Sequence, residues 1–133
     1  MIKIGIDVGS TTAKLVAVDE NDNLLFSKYE RHNAKAKETI LSFLKELLSE
    51  IGDKDISVRI TGSIGMGISE KCSLPFVQEV VAAAKAIQKD YSHVTSMIDI
   101  GGEDAKVVFF NDAEATDLRM NGNCAGGTGA FID

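Results

Sequence analysis

A near-repeat constrains the fold of this chain more than any other feature. Residues 6–14 read IDVGSTTAK, and residues 98–106 read IDIGGEDAK. Asp7 therefore matches Asp99 at an offset of 92 residues, and a lysine follows each aspartate seven positions later. Solenoid proteins repeat every 20 to 50 residues or so, which is a much shorter period. The repeat predicts two similar domains that each begin with a strand, a tight turn and a second strand.

Hydrophobic periodicity divides the chain in the same way. Apolar residues alternate with polar residues or glycine at 2–8, the pattern of a strand, and a wide helical stripe extends over 35–51. The segment SIGMGISEKCSLP at 63–75 is predicted to be a loop with about one helical turn. The predicted elements are strands at 2–8, 14–18 and 24–29, a helix at 35–51, a strand at 56–60, a helix at 76–89, and strands at 94–100, 105–110 and 113–120, with Asn111-Asp112 as the last hairpin turn.

This order indicates an α/β fold. A βββαβα domain is predicted in residues 1–92, and the first strands of a second, incomplete copy in residues 93–133.

Charge and hydropathy exclude several classes of function. The chain has 14 Lys and Arg against 20 Asp and Glu, a net charge of −6, and no basic cluster, so a nucleic-acid partner has little support. No apolar run reaches the roughly 18 residues that a membrane span needs, and the first residues lack a secretory leader. We therefore expect a cytoplasmic protein that contacts no membrane. Such an acidic protein has to bind phosphate locally, through backbone N–H groups, one or two lysines and a metal ion.

The two repeated hairpins suit that requirement. Each aspartate stands at a strand end, and after Asp7 the residues at 9–12 offer a flexible glycine, three hydroxyls and successive N–H groups, the components of an anion-binding concavity. Asp7 and Asp99 suit a magnesium ion that keeps much of its water. Ordinary turn chemistry is the alternative for either copy alone, but two copies with the same lysine spacing favour phosphate binding. The sequence has no Walker loop, and GSIGMG at 62–67 is more typical of a plain loop.

The two cysteines, Cys72 and Cys124, need separate explanations, because a disulfide framework is not expected in a cytoplasmic protein. Cys124 lies in NGNCAGGTGAFID, just before residues that could begin a helix. The positive end of a helix dipole favours a thiolate, which can ligate iron-sulfur clusters or act in redox chemistry. The alternative is a buried, inert cysteine, and spacing alone favours that alternative.

The motifs carry a resemblance to a known superfamily. IGIDVGSTTAK resembles the first phosphate motif, and IDIGGEDAK the second, of the ATPases related to actin, hexokinase and the heat-shock chaperones. The resemblance implies a ribonuclease-H-like fold of two duplicated domains that clamp Mg-ATP between them. It implies that Asp7 and Asp99 hold Mg²⁺ through water and position water. The implied ATP/ADP-binding residues are Gly9, Ser10, Thr11, Thr12, Lys14, Gly101 and Gly102.

A narrower resemblance comes from NGNCAGGTGAFID, together with DIGGEDAK and TGSIG. These segments are similar to the BadF/BadG/BcrA/BcrD family, the activator ATPases of 2-hydroxyacyl-CoA dehydratases and benzoyl-CoA reductases. In that family a homodimer holds one 4Fe-4S cluster, to which each subunit contributes two cysteines, and ATP drives an electron to a partner iron-sulfur enzyme. Cys124 matches the first of those cysteines. The chain matches about the first half of the family domain, so we expect no robust activity from these 133 residues alone.

Glu103 departs from the family pattern, because these activators usually carry glutamine at this position. Glutamine is suited to orienting the attacking water in ATP hydrolysis. A carboxylate can instead act as a base, or it can repel the γ-phosphate and slow turnover. We count Glu103 among the catalytic candidates with Asp7 and Asp99.

Two other functions remain open. One is a small-molecule kinase of the amino-sugar type, which shares the superfamily but leaves Cys124 without a purpose. The other is a nucleotide-binding module that changes shape without electron transfer. ATP-driven electron transfer from the cluster to a dehydratase or reductase is the preferred reading.

Overall fold

β1 (Ile2–Val8) gives the first sheet two chemically different faces. In the computed structural model, which describes residues 1–100, 105–110 and, for the backbone alone, 116–121, every second side chain from Ile2 to Val8 is buried. Asp7 lies between two of these buried residues and is only half-buried. The alternation in the sequence therefore places the apolar side chains on one face and Asp7 on the other.

The chain consists of two compact units, residues 1–79 and residues 80–133. The predicted domain division at residues 92 and 93 stays a prediction. No helix within the described ranges is long and apolar enough to cross a membrane. The elements that follow β1 are β2 (Thr12–Val18), β3 (Leu24–Arg31), α1 (Ala36–Ile51), β4 (Ile56–Thr61), α2 (Gly65–Cys72), α3 (Glu79–Asp90), β5 (Ser96–Ile100), β6 (Ala105–Phe110) and β7 (Thr116–Asn121).

The first unit is built on a four-stranded sheet with the order β3-β2-β1-β4. β1, β2 and β3 form the predicted antiparallel meander, and β4 pairs with β1 in parallel. A parallel neighbour requires a crossover connection, and α1 provides it. The predicted βββαβ order of this unit is confirmed.

The core of the first unit lies between the buried face of the sheet and α1. Phe43 and Leu47 of α1 are each 1% exposed. Burial of side chains of this size contributes about 1.5–3 kcal/mol each, which explains why the predicted stripe forms a helix. The helix ends at Gly52, whose φ of 71° is a conformation that glycine adopts easily.

The segment after β4 differs from the prediction. Residues 63–75 were expected to form a loop with about one turn of helix, whereas α2 occupies eight of them. Glycines lower the helical propensity of this segment, but Gly65 is buried against β4, where a Cβ would lie 2.8 Å from Cγ2 of Ile60. Tertiary packing that only glycine permits therefore overrides the weak propensity.

The next helix, α3, begins three residues later than the predicted position 76. Residues 75–77 instead lie beside β4 in an extended conformation. The Ile60 N–H donates to the Pro75 carbonyl at 3.0 Å, and the Val77 N–H donates to the Ile60 carbonyl at 2.8 Å. These bonds pair both backbone groups of Ile60 with residues 75–77, which therefore lie in a bridge beside β4 and not in a helix.

The second unit contains an antiparallel sheet with the order β5-β6-β7. Ala105 and Val108 of β6 are buried, whereas Ile98 of β5 is 64% exposed. The connection at 101–104 and the predicted turn at Asn111-Asp112 lie outside the described residues. The second set of three strands that the repeat predicts is thus present.

Candidate functional site

Four side chains form a row across the face of the first sheet that α1 does not cover. Tyr29 of β3 pairs with Lys14 of β2, Lys14 pairs with Asp7 of β1, and Asp7 pairs with Thr61 of β4. Register partners on neighbouring strands point to the same side of a sheet. The row therefore places a phenol ring, an ammonium group, a carboxylate and a hydroxyl side by side.

Lys14 occupies one oxygen of the Asp7 carboxylate. Its Nζ lies 3.3 Å from Oδ2 of Asp7 and 5.4 Å from the centroid of the Tyr29 ring. The side chains of Lys14 and Asp7 are 42% and 31% exposed. Ion pairs at such positions contribute only about 0–1 kcal/mol to stability, so the pair has no large structural role.

The other oxygen of Asp7 has no partner in the described part of the chain. Oδ1 of Asp7 and Oγ1 of Thr61 are both buried, and neither forms a hydrogen bond within the described residues. Native structures pair nearly all buried polar atoms with protein groups or ordered water. Mg²⁺ in phosphate sites keeps several waters and uses one or two carboxylates. An unpartnered carboxylate oxygen at this point fits a hydrated magnesium ion.

The turn after β1 is held in a defined shape. The Gly9 N–H donates to the Thr12 carbonyl at 3.0 Å, which closes the turn. Ser10 and Thr11 are exposed, and their backbone N–H groups donate no hydrogen bond to any described residue. Free N–H groups beside a lysine are suited to binding an anion.

His32 binds two carbonyl groups of this turn, a role that the sequence did not indicate. The residue follows β3 and is 5% exposed. Its backbone N–H donates to the Thr11 carbonyl at 3.1 Å, and its Nε2 lies 2.8 Å from the Gly9 carbonyl oxygen. Nδ1 accepts from the Ala34 N–H at 3.2 Å, so Nε2 carries the proton and donates to Gly9.

These bonds orient the peptide groups of the turn. The C=O and the following N–H point in opposite directions in a trans peptide. With the Gly9 carbonyl bonded to His32, the Ser10 N–H points away from His32. The contact follows from the pairing of Thr12 with Arg31, which places the residue after β3 beside Thr11, and the sequence carries no local signal for this register.

The turn after β4 also packs against the end of β1. Gly62 has a φ of 97°, and a Cβ there would lie 2.3 Å from the Val8 carbonyl oxygen and 2.7 Å from Oδ1 of Asp7. The Ile64 N–H donates to the Val8 carbonyl at 3.0 Å. Glycine is required at position 62 because any side chain would clash with the backbone and fill the space beside the carboxylate.

The second copy of the hairpin has the same register. Asp99 pairs with Lys106 across β5 and β6, as Asp7 pairs with Lys14 across β1 and β2. Ile100 pairs with Ala105, as Val8 pairs with Ala13. The sequence repeat is therefore a repeat of backbone pairing, and Asp99 is half-buried like Asp7.

The remaining predicted site residues lie outside the described residues: Gly101, Gly102, Glu103 and Cys124. Among the described residues, Cys72 is a free and exposed thiol. The described part of the chain contains no group of three or more histidine, cysteine and acidic side chains that could hold a metal ion.

Comparison with known proteins identifies relatives over nearly the whole chain. The model of the "BadF/BadG/BcrA/BcrD ATPase family" matches residues 4–133. The "2-hydroxyisocaproyl-CoA dehydratase activator" of Clostridioides difficile is 30% identical over 146 residues, covering 100% of this chain and 50% of the relative. The chain spans about half the length of the curated relatives it matches.

Two solved structures have the same fold. The chain superimposes on component A of the (R)-2-hydroxyglutaryl-CoA dehydratase of Acidaminococcus fermentans with a TM-score of 0.79 and 26% identity, covering 100% of this chain and 52% of that one. The activator of the 2-hydroxyisocaproyl-CoA dehydratase from Clostridium difficile, solved with bound ADPNP, gives a TM-score of 0.77 at 28% identity, covering 100% of this chain and 50% of that one. The predicted actin-like, ribonuclease-H-like α/β fold is confirmed.

Proposed function

The chain belongs to the BadF/BadG/BcrA/BcrD ATPase family, and on that premise we propose that the protein binds and hydrolyses ATP to drive low-potential electron transfer. The electron passes from a 4Fe-4S cluster to a 2-hydroxyacyl-CoA dehydratase or a related reductase. Relatives named as dehydratase activators support this choice of partner. One of them was solved with the ATP analogue ADPNP, which supports the nucleotide.

The turn after β1 is the observation that carries the nucleotide part of the proposal. It presents the backbone N–H groups of Ser10 and Thr11, which donate to no described residue, and the flanking strands add the ammonium of Lys14 and Oδ1 of Asp7, which has no hydrogen-bond partner among the described residues. In the proposal, the turn at 9–12 surrounds the phosphate oxygens, the backbone N–H groups of Ser10 and Thr11 donate to them, and Lys14 neutralises part of the phosphate charge. Asp7 orients water on the side of its free oxygen.

Magnesium, when bound, would neutralise phosphate charge and favour attack of water on the terminal phosphorus, with ADP as the leaving group. Asp7 and Asp99 are the residues proposed to hold it, through water. Gly101 and Gly102 are proposed to contact phosphate, and Glu103 to orient or activate the attacking water. ATP and water yield ADP and phosphate. The free energy released by this hydrolysis favours the transfer of one electron to the partner enzyme.

Cys124 is proposed as a thiolate ligand of the 4Fe-4S cluster, which supplies the transferred electron when it is bound. The proposal rests on the sequence NGNCAGGTGAFID, since Cys124 lies outside the described residues. A homodimer would share the cluster, as the family resemblance implies. A low-potential electron carrier has to replace the electron after each transfer.

Anaerobic reconstitution of the native protein with iron and sulfide tests the cluster. Wild-type protein should develop the broad visible absorption of a thiolate-ligated cluster, and Cys124→Ser should lose it. Cys72→Ser is the matched control, because Cys72 is exposed and has no proposed ligand role. Circular dichroism checks that both proteins are folded. Equal visible absorption in the Cys124→Ser variant and the wild type would then contradict the proposal.

A further inference from the structure

The geometry points to a positioning role for the Thr61 hydroxyl in the phosphate site. We propose that Thr61 Oγ1 and Asp7 Oδ1 together hold one water molecule of the hydrated magnesium ion. The inference rests on the proposed nucleotide function and extends it, because Thr61 lies on β4, outside both repeated hairpins.

The two oxygen atoms share an unusual state. Oγ1 of Thr61 and Oδ1 of Asp7 are the two buried side-chain polar atoms within the described ranges that lack a hydrogen-bond partner. They belong to register partners on adjacent parallel strands and therefore lie on the same face of the sheet. No hydrogen bond joins them, and in the proposal one water molecule bonds to both.

The chemistry of the two atoms suits that water molecule. Oδ1 of Asp7 can only accept hydrogen bonds when the carboxylate is ionised, whereas the Thr61 hydroxyl can donate one. A water between them donates to Asp7 and accepts from Thr61. One lone pair of the water then remains, and a cation can use it.

The surroundings of Asp7 differ between its two oxygens. Lys14 contacts Oδ2 of Asp7, so the free oxygen is the one on the side of β4. Gly62 is the neighbour on that side, and it has no side chain to cover the carboxylate, since a Cβ there would lie 2.7 Å from Oδ1 of Asp7. The Thr61-Gly62 pair thus gives the carboxylate a hydroxyl on the same sheet face and a neighbour without a side chain.

A matched pair of variants separates the hydroxyl from the volume of the side chain. Thr61→Val has nearly the same shape and lacks the hydroxyl, whereas Thr61→Ser keeps the hydroxyl. Thr61→Ala, which also lacks it, gives the same comparison should the valine variant not fold. ADPNP binding to the 133-residue chain is followed by NMR through the amide shifts of Ser10 and Thr11, with and without Mg²⁺.

The inference predicts that Mg²⁺ strengthens ADPNP binding to the wild type and to Thr61→Ser. Thr61→Val should lose about three- to tenfold of the affinity measured with Mg²⁺, the loss expected for one hydrogen bond. Its affinity without Mg²⁺ should not change. This pattern identifies the hydroxyl as a positioning group for the hydrated ion.

The other outcomes overturn the inference in distinguishable ways. Magnesium-dependent binding that is equal in the wild type and Thr61→Val leaves the proposed nucleotide function in place and refutes the role of Thr61. If Thr61→Val loses the same fraction of its ADPNP affinity with and without Mg²⁺, Thr61 has only a structural role. If the wild-type chain shows no magnesium-dependent shift at Ser10 and Thr11, the proposed phosphate site fails, and the inference fails with it.

Discussion

His32, the residue that follows β3, shows how one side chain can shape the turn that is proposed to bind phosphate. Its imidazole and its backbone N–H bond two carbonyls of the turn, those of Gly9 and Thr11. Because these carbonyls are directed at His32, the N–H groups that follow them point away from it. The conformation of the turn is therefore fixed before any ligand arrives.

Replacing His32 with alanine should destabilise the chain and disorder the turn. The change leaves the Gly9 carbonyl and the Ala34 N–H without their partners, which should cost about 1–3 kcal/mol of unfolding free energy. Urea denaturation followed by circular dichroism measures this loss. The control is His93→Ala, because the side chain of His93 is exposed, and its loss should stay within about 0.5 kcal/mol. Equal stability of the two variants would contradict the assigned role.

The sequence predicts some of these residues and not others, for a physical reason. Asp7, Gly9 and Lys14 belong to one hairpin, so their spacing along the chain already specifies their relation in space. His32 and Thr61 reach the same site through the register of other strands. No local pattern contains that register, so neither residue was assigned a role in advance.

At the scale of elements, the segment from Gly62 to Cys72 was the least predictable part of the first unit. Its glycines lower the helical propensity, and this propensity was the only basis in the sequence for predicting a loop there. The structure uses the glycines differently from one another. Gly62 and Gly65 allow close approach to the strands, whereas a Cβ at Gly67 would meet no atom within 4 Å.

Two alanine substitutions test this difference. Gly62→Ala should destabilise the chain by about 1–3 kcal/mol from backbone strain alone, because its φ is 97°, and the clash with Val8 adds to that loss. Gly67→Ala should stabilise it by about 0.5–1 kcal/mol, because alanine favours the helix and position 67 is exposed. The free energy of unfolding in urea checks both. A destabilised Gly67→Ala variant or an unaffected Gly62→Ala variant would show that the turn and α2 are wrongly described.

Longer elements with strong periodicity were predicted well. The bounds of β1, α1 and β6 lie within one residue of the predicted ones. The reason for β1 and α1 is that one face of each element is buried, so the pattern of the sequence reflects its packing. The start of α3 was missed because hydrogen bonds to Ile60 hold residues 75–77 beside β4.

At the scale of the whole molecule, the near-repeat in the sequence corresponds to one backbone arrangement used twice. Each unit contains an aspartate near a strand end that faces a lysine across an antiparallel pair. The α/β fold could be predicted from this repeat and the order of elements. The roles of Gly101, Gly102, Glu103 and Cys124 still rest on sequence resemblance, because these residues lie outside the described ranges.

The central claim is that the turn after β1 binds the phosphates of a magnesium nucleotide with the help of Asp7. An NMR titration of the wild-type chain and of Asp7→Asn with ADPNP, with and without Mg²⁺, tests it most directly, with Asp53→Asn as a control at an exposed carboxylate. The amides of Ser10 and Thr11 should shift, and Mg²⁺ should strengthen binding to the wild type and to the control. Asp7→Asn should lose about tenfold or more of the affinity measured with Mg²⁺, since a charged contact is removed. Unchanged Ser10 and Thr11 amides in the wild type, or equal magnesium dependence in Asp7→Asn, would contradict the claim.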